Sequence, residues 1–120
     1  MKHLNIGAIV ILYNPNNSIL YSIISVLKQQ VGVIYLIDNT PDFFNNEVSA
    51  FSKTLGNVKY FPLNKNVGIA EAQNIGIKKV LEDTSMDFVL LLDQDSIPDN
   101  NMVHELNSAY EQLISREYSV

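Results

Sequence analysis

An α/β domain built on a parallel sheet is the fold class this sequence predicts, and three observations carry the prediction. Four short apolar runs, residues 6–12, 33–37, 58–63 and 88–92, are separated by stretches whose apolar residues recur at helical spacing. Most of these runs are continuously apolar rather than alternating, as expected of strands covered on both faces. Each run gives way to polar or acidic residues at its carboxyl end, which is where open parallel sheets bind their ligands. Strand and helix alternating four times implies a parallel sheet with right-handed crossovers.

Taken in order, Ile6-Gly7-Ala8-Ile9-Val10-Ile11-Leu12 is the first strand. Asn14-Pro15-Asn16-Asn17 breaks it and opens a helix from Ser18 to Gln30, with Gly32 as its stop. Val33-Ile34-Tyr35-Leu36-Ile37 is the second strand, ending at Asp38-Asn39-Thr40-Pro41. Phe44, Val48, Phe51 and Leu55 then share one helical face. Val58 to Leu63 is a third, more amphipathic strand, and Pro62 suggests an edge position because proline cannot donate to a ladder. Asn64-Lys65-Asn66-Val67-Gly68 is a loop, and Ile69 to Leu81 a helix kept slim by Ala70, Ala72 and Gly76. Phe88 to Leu92 is the fourth strand and runs into Asp93-Gln94-Asp95. The last helix spans Asp99 to Ile114, with Met102, Val103, Leu106, Ala109, Tyr110, Leu113 and Ile114 on its inner stripe.

The chain has 120 residues, enough for a single domain, and 47% of them are hydrophobic, so a sizeable core can form. A net charge of −5 with only 8 Lys and Arg argues against nucleic acid, whose phosphates need many cationic contacts, and against an anionic membrane surface. The same balance suits a site for a divalent cation. With no cysteine, disulfides, thiolate zinc sites and a cysteine nucleophile are excluded, as in a reducing compartment. The first apolar run is too short to span a bilayer, and Tyr13-Asn14-Pro15 stands where a signal peptide would need a small-residue cleavage site. His3 and His104 have no matching acid, serine or metal spacing and receive no role.

The sharpest feature is Asp93-Gln94-Asp95. Residues two apart on a strand share a face, so both carboxylates can meet one cation or one sugar edge. Hard cations such as Mg²⁺ and Mn²⁺ take oxygen ligands, commonly one or two carboxylates plus substrate phosphates. The competing reading is an acidic loop before the last helix, with Asp99 or Asn100 as N-cap. Asp38, at the end of the second strand, is placed to bond a ribose hydroxyl or to form an Asx turn. Tyr13 offers a ring that can stack on a base or fill the core. The first turn lacks Gly-x-Gly-x-x-Gly, so it has no cradle for a nicotinamide dinucleotide. Gly68 permits close backbone approach, and the helix start behind it attracts phosphate. Lys65 and Asn66 have a mixed structural and binding role, and mid-helix Asn74 is read as pinning the preceding loop.

In combination, Val10-Ile11-Leu12-Tyr13-Asn14, Ile37-Asp38-Asn39, Asn66-Val67-Gly68 leading to Asn74-Ile75-Gly76, and Leu91-Leu92-Asp93-Gln94-Asp95 resemble the family 2 inverting glycosyltransferases of GT-A fold. The form Leu-Leu-Asp-Gln-Asp-Ser at 91–96 looks most like the rhamnosyltransferase branch, whose donor is dTDP-rhamnose. The resemblance implies a Rossmann-like parallel sheet of order 3-2-1-4 with helices on both faces and a nucleotide across its strand ends. It implies substrate contacts from Tyr13, Asn14, Asp38, Asn39, Lys65, Asn66, Gly68 and Asp93, with Tyr13 and Asp38 at the base or ribose. Asp95, with Asp93, would hold Mn²⁺ or Mg²⁺ bridging the diphosphate. The partners implied are a nucleotide-diphosphate sugar and a glycan or lipid-linked acceptor, in the cytoplasm or at the inner face of the membrane.

The family's general base comes from an acceptor-binding half. No acid after Asp99 suits that role, since Glu105, Glu111 and Glu117 read as helix exterior. The expectation is therefore that residues 1–120 form one domain, the donor-binding half of a truncated GT-A enzyme. The base is expected beyond Val120, and the fragment is expected to be inactive alone and prone to self-association through exposed apolar surface. A nucleotidyltransferase would want a Gly-rich basic loop after the first strand, and a phosphatase using Asp-x-Asp would carry it after that strand. A receiver module would need acids there; Leu12-Tyr13-Asn14-Pro15 supplies none of these. A non-catalytic nucleotide-binding or interaction domain with the inherited fold, or a nucleotidyltransferase as the nearest rival enzyme, is the alternative.

Overall fold

The computed structural model describes residues 5–118 apart from 84 and 96, with the side chains described as far as residue 110. The elements are β1 (Ile6–Leu12), α1 (Asn17–Leu27), β2 (Val33–Asp38), α2 (Asn46–Lys53), β3 (Val58–Pro62), α3 (Ile69–Glu82), β4 (Phe88–Asp93) and α4 (Met102–Tyr118). All three strand pairings are parallel and the order is β3-β2-β1-β4, the order implied by the GT-A resemblance. The chain winds outward from β1 through β2 to β3, then returns to place β4 on the other side of β1. The order therefore reverses between β1 and β4, at the point where such sheets bind ligands. Leu12 lies opposite Asp38, and Ile11 opposite Asp93, so β1, β2 and β4 end nearly level.

Alternation along the strands divides the core between the two faces. Ala8, Val10 and Leu12 of β1 pack with Ile34 and Leu36 against Leu20, Ile23, Ile24 and Leu27 of α1 and Val48 of α2. Ile9, Val33, Tyr35 and Ile37 turn to the opposite face and pack against Ala72 and Val80 of α3. Helix α3 lies close on the sheet because Gly76 has no side chain: a Cβ there would sit 2.7 Å from Ile9 Cγ2. Ala72 shares that buried surface, whereas Ala70 is exposed and plays no part in it.

Several element ends differ from the sequence reading, each through a side-chain bond. Helix α1 begins with Asn16 as N-cap, its carboxamide oxygen accepting from Ile19 N–H, and ends at Leu27, with residues 28–30 forming a turn ahead of Gly32. Asn45 caps α2 through Val48 N–H, which leaves Phe44 outside the helix and exposed, its ring edge-on to Tyr60 at 5.6 Å. Helix α4 starts at Met102, not Asp99, because the Asp99 carboxylate accepts the Asn101 N–H in a turn. Pro62 does lie on an edge strand.

The inner stripe expected of α4 is only partly buried. Met102 and Val103 pack against the core, but Leu106 and Tyr110 are 44% and 37% exposed, and Ala109 is exposed too. Tyr110 meets Phe88 of β4 edge-on at 5.0 Å, and Asn107 is the buried residue of that turn. The stripe stays open because β4 is the last strand on that side, and no described element lies beyond it. The side chains of Leu113, Ile114, Glu111 and Glu117, and His3, lie outside the described residues. No helix among the described residues is long and apolar enough to cross a membrane.

Candidate functional site

A cleft of about 370 Å³ opens at the carboxyl ends of β1, β2 and β4, lined by Ile11, Tyr13, Asn39, Asn66, Gly68, Ile69, Asp93, Gln94 and Asp95. Three loops build it. The first follows β1. The Tyr13 ring is 46% exposed there, so it is not a core residue. Asn14 has a left-handed backbone, φ 43°, and its N–H donates to Thr40 Oγ1 at 2.8 Å. Asparagine tolerates that conformation better than most residues.

The second loop follows β2. Asp38 is fully buried: one carboxylate oxygen accepts Thr40 N–H at 3.1 Å and the other the Tyr60 hydroxyl at 2.6 Å. It forms an Asx turn and faces Tyr60, and it does not line the cleft. Burial, followed by donation to Asp38, holds the Tyr60 phenol well above the usual tyrosine range. Asn39 takes the cleft position. Its amide donates to Asn66 Oδ1 at 2.9 Å, and its own Oδ1 accepts Val67 N–H at 2.9 Å.

The third loop is thereby held in shape, with Asn66 Oδ1 also accepting Gly68 N–H at 2.9 Å. Gly68 has φ 85° and ψ 156°, a region open in practice to glycine alone, and it leads into α3 with no side-chain cap. The first amides of α3 are therefore free of a capping side chain at the cleft edge, as an anion-binding helix start requires. Lys65 is exposed and outside the lining. The Asn74 side chain is exposed and bonds nothing among the described residues, so the pinning of this loop belongs to Asn39 and Asn66 instead.

Asp93 and Asp95 are both exposed on the far wall. They are joined by an Asx turn, Asp95 N–H to Asp93 Oδ1 at 3.1 Å, rather than sharing the face of an extended strand. Gln94 between them bonds Tyr13 twice, accepting its N–H at 2.8 Å and donating to its carbonyl at 2.9 Å. Ser96, last in the quoted motif, lies outside the described residues. No cluster of three or more His, Cys, Asp or Glu able to hold a metal occurs among the described residues. Two carboxylates at an open cleft fit a hard cation that completes its shell with phosphate oxygens and water, and they do not fit an all-protein cage.

Of the residues read from sequence, the structure brings Tyr13, Asn39, Asn66, Gly68, Asp93 and Asp95 to one cleft. Asn14 and Asp38 act on the loops beneath it, and Lys65 stands apart. Gln94, Thr40, Tyr60, Ile11 and Ile69 were not singled out by sequence; only the strand register shows that Gln94 reaches Tyr13. A second hollow of about 430 Å³, lined by Tyr35, Lys59, Phe61, Lys79, Glu82 and Asp83, lies by the carboxyl end of α3. The Lys79 ammonium there sits 3.8 Å over the Phe61 ring, and two acids line the hollow beside the two lysines.

The residue pattern of glycosyl transferase family 2 matches positions 8–113, a span containing every cleft residue. The chain is also similar to dTDP-rhamnosyl transferase RfbF of Shigella flexneri, 34% identical over 103 residues that make up 86% of this chain and 33% of that protein. It thus spans about a third of the length of this curated relative. With the matched sheet order, the matched span and the level of identity agreeing, this chain belongs to glycosyl transferase family 2.

Proposed function

We propose that the chain is the donor-binding part of an inverting glycosyltransferase, and that the cleft holds the nucleoside diphosphate of a nucleotide sugar. The observation that carries this reading is the placement of an exposed aromatic ring, Tyr13, across a common cleft from two exposed carboxylates, Asp93 and Asp95, at the switch point of the sheet. The base stacks on Tyr13. The diphosphate lies toward Gly68 and the uncapped start of α3. Asp95 and Asp93 would hold Mn²⁺ or Mg²⁺, which when bound acts as a Lewis acid toward the leaving diphosphate. Asn39 and Asn66 keep the loop closed around Gly68, and Asp38 reaches the ligand only if Tyr60 releases it.

The favoured donor is dTDP-rhamnose, as the name of the similar Shigella protein suggests. Its thymine and its 6-deoxy sugar each carry a methyl group, and the cleft offers Ile11 and a 66%-exposed Ile69 as apolar partners. In the full reaction an acceptor hydroxyl of a glycan or lipid-linked saccharide attacks the anomeric carbon. The bond to the diphosphate breaks, the configuration inverts, and a general base takes the hydroxyl proton. Calorimetry with dTDP, UDP and GDP, each with and without Mn²⁺, tests the binding step. Metal-dependent binding with dTDP preferred, lost in Asp95→Ala, is the expected result; metal-independent or absent binding overturns the reading.

A further inference from the structure

We propose that Gln94 is the positioning residue of this cleft. It holds the Tyr13 ring at a set spacing from the Asp93 and Asp95 carboxylates, so that base and diphosphate are recognised as one ligand. The proposal rests on reading the cleft as a nucleoside diphosphate site.

The last paired residues of β1 and β4 are Ile11 and Asp93. Beyond them the β4 backbone leaves the ladder, because Asp95 N–H folds back onto Asp93 Oδ1. The Gln94 side chain then does what a peptide group would have done, accepting Tyr13 N–H through Oε1 and donating from Nε2 to the Tyr13 carbonyl. A carboxamide has a donor and an acceptor side by side; a carboxylate has only acceptors and an ammonium only donors. On the β2 side the same segment is fixed by Asn39 N–H to the Leu12 carbonyl at 2.7 Å and by Asn14 N–H to Thr40 Oγ1. Tyr13 is thus held from both flanks while its ring stays exposed. Gln94 also stands inside the turn that carries both acids, so its grip joins the stacking face and the carboxylates into one unit. A group fixed before binding has less freedom to lose on binding.

The test is a double-mutant cycle on Mn²⁺·dTDP binding. Gln94→Met, nearly isosteric but unable to bond, is expected to weaken binding about 3- to 10-fold, the cost of ordering a side chain on binding. With Tyr13→Ala present, Gln94→Met is expected to add nothing, because no ring is left to position. With Asn66→Ala present, its loss is expected to multiply, as for independent sites. Gln94→Leu, which also cannot bond Tyr13, is expected to weaken binding to the same extent and serves as the second variant if Gln94→Met does not fold. Tyr13 amide exchange is expected to quicken in Gln94→Met while β2 amides keep their protection. Unchanged dTDP affinity in Gln94→Met, or losses that multiply with Tyr13→Ala, would overturn the role of Gln94 and leave the nucleotide site standing. Absence of binding by the unaltered chain would overturn the site reading, and the role of Gln94 with it.

Discussion

The two sides of the sheet are built by different means. In β2 all six residues are buried; in β4 none is. On the β2–β3 side, apolar packing is reinforced by the buried Asp38 and Asn39, which bond Tyr60 and the Asn66 loop. On the β4–α4 side, two glutamines make the cross-links. Gln94 grips Tyr13. Gln30 donates to the Asp99 carbonyl at 3.0 Å and accepts Val103 N–H at 3.0 Å, fastening the start of α4. Directional bonds thus carry more of the burden where little apolar surface is buried. The proposed cation ligands stand on this less buried side, and the glycine loop on the well-buried one. Regions with few buried contacts open at lower free energy, so the β4 wall of the cleft depends on these side-chain bonds for the order that packing gives the β2 wall.

Several substitutions sharpen or break that contrast. Leu36→Ala, at a fully buried position, is expected to cost about 2–5 kcal/mol in denaturant unfolding. Leu91→Ala on β4 is expected to cost about 1 kcal/mol, because its side chain is already 43% exposed; equal losses would erase the difference between the two sides. Gly76→Ala is expected to cost about 1–3 kcal/mol, since the new methyl must displace Ile9. An unchanged midpoint would show that α3 can shift off the sheet.

Tyr60→Phe strands a buried carboxylate oxygen and is expected to cost about 1–3 kcal/mol near neutral pH. Its pH dependence has a definite sign. The folded-state pKa is raised, so the contribution of this phenol is complete below about pH 10, the ordinary tyrosine value, and is lost as pH rises above it. Tyr60→Phe should therefore flatten the alkaline fall in stability. Tyr21 and Tyr35, also raised chiefly by burial, leave a residual slope. Gln30→Ala is expected to cost about 0.5–2 kcal/mol, as for the loss of a helix cap. Hydrogen exchange should then quicken in the first turn of α4 and leave β2 unchanged.

Much of this molecule is legible in its amino-acid order. Runs such as Ile6–Leu12 and Phe88–Leu92 show as strands because hydrophobic continuity is local, and Asp93 and Asp95 show as a pair because they are neighbours in the chain. Where a side chain bonds across the sheet, local pattern is silent. Asp38 suits a ribose ligand or a turn former equally until Tyr60, from the next strand, takes its second oxygen. Asn74 draws attention through its poor helix propensity, yet Asn39 does the pinning. Helical periodicity marks Leu106 and Tyr110 for burial, but it cannot tell whether anything lies opposite to bury them.

By itself the sequence determined the parallel α/β class, the positions of the strands and the acidic and asparagine-rich loops that follow them, because each depends on neighbours within a few residues. Tertiary structure alone decided which of those residues share the cleft, that Asp38 is turned inward, and that Gln94 ties Tyr13 to the two carboxylates. Those outcomes depend on the register of β1 with β2 and β4, and a parallel register is set by residues tens of positions apart.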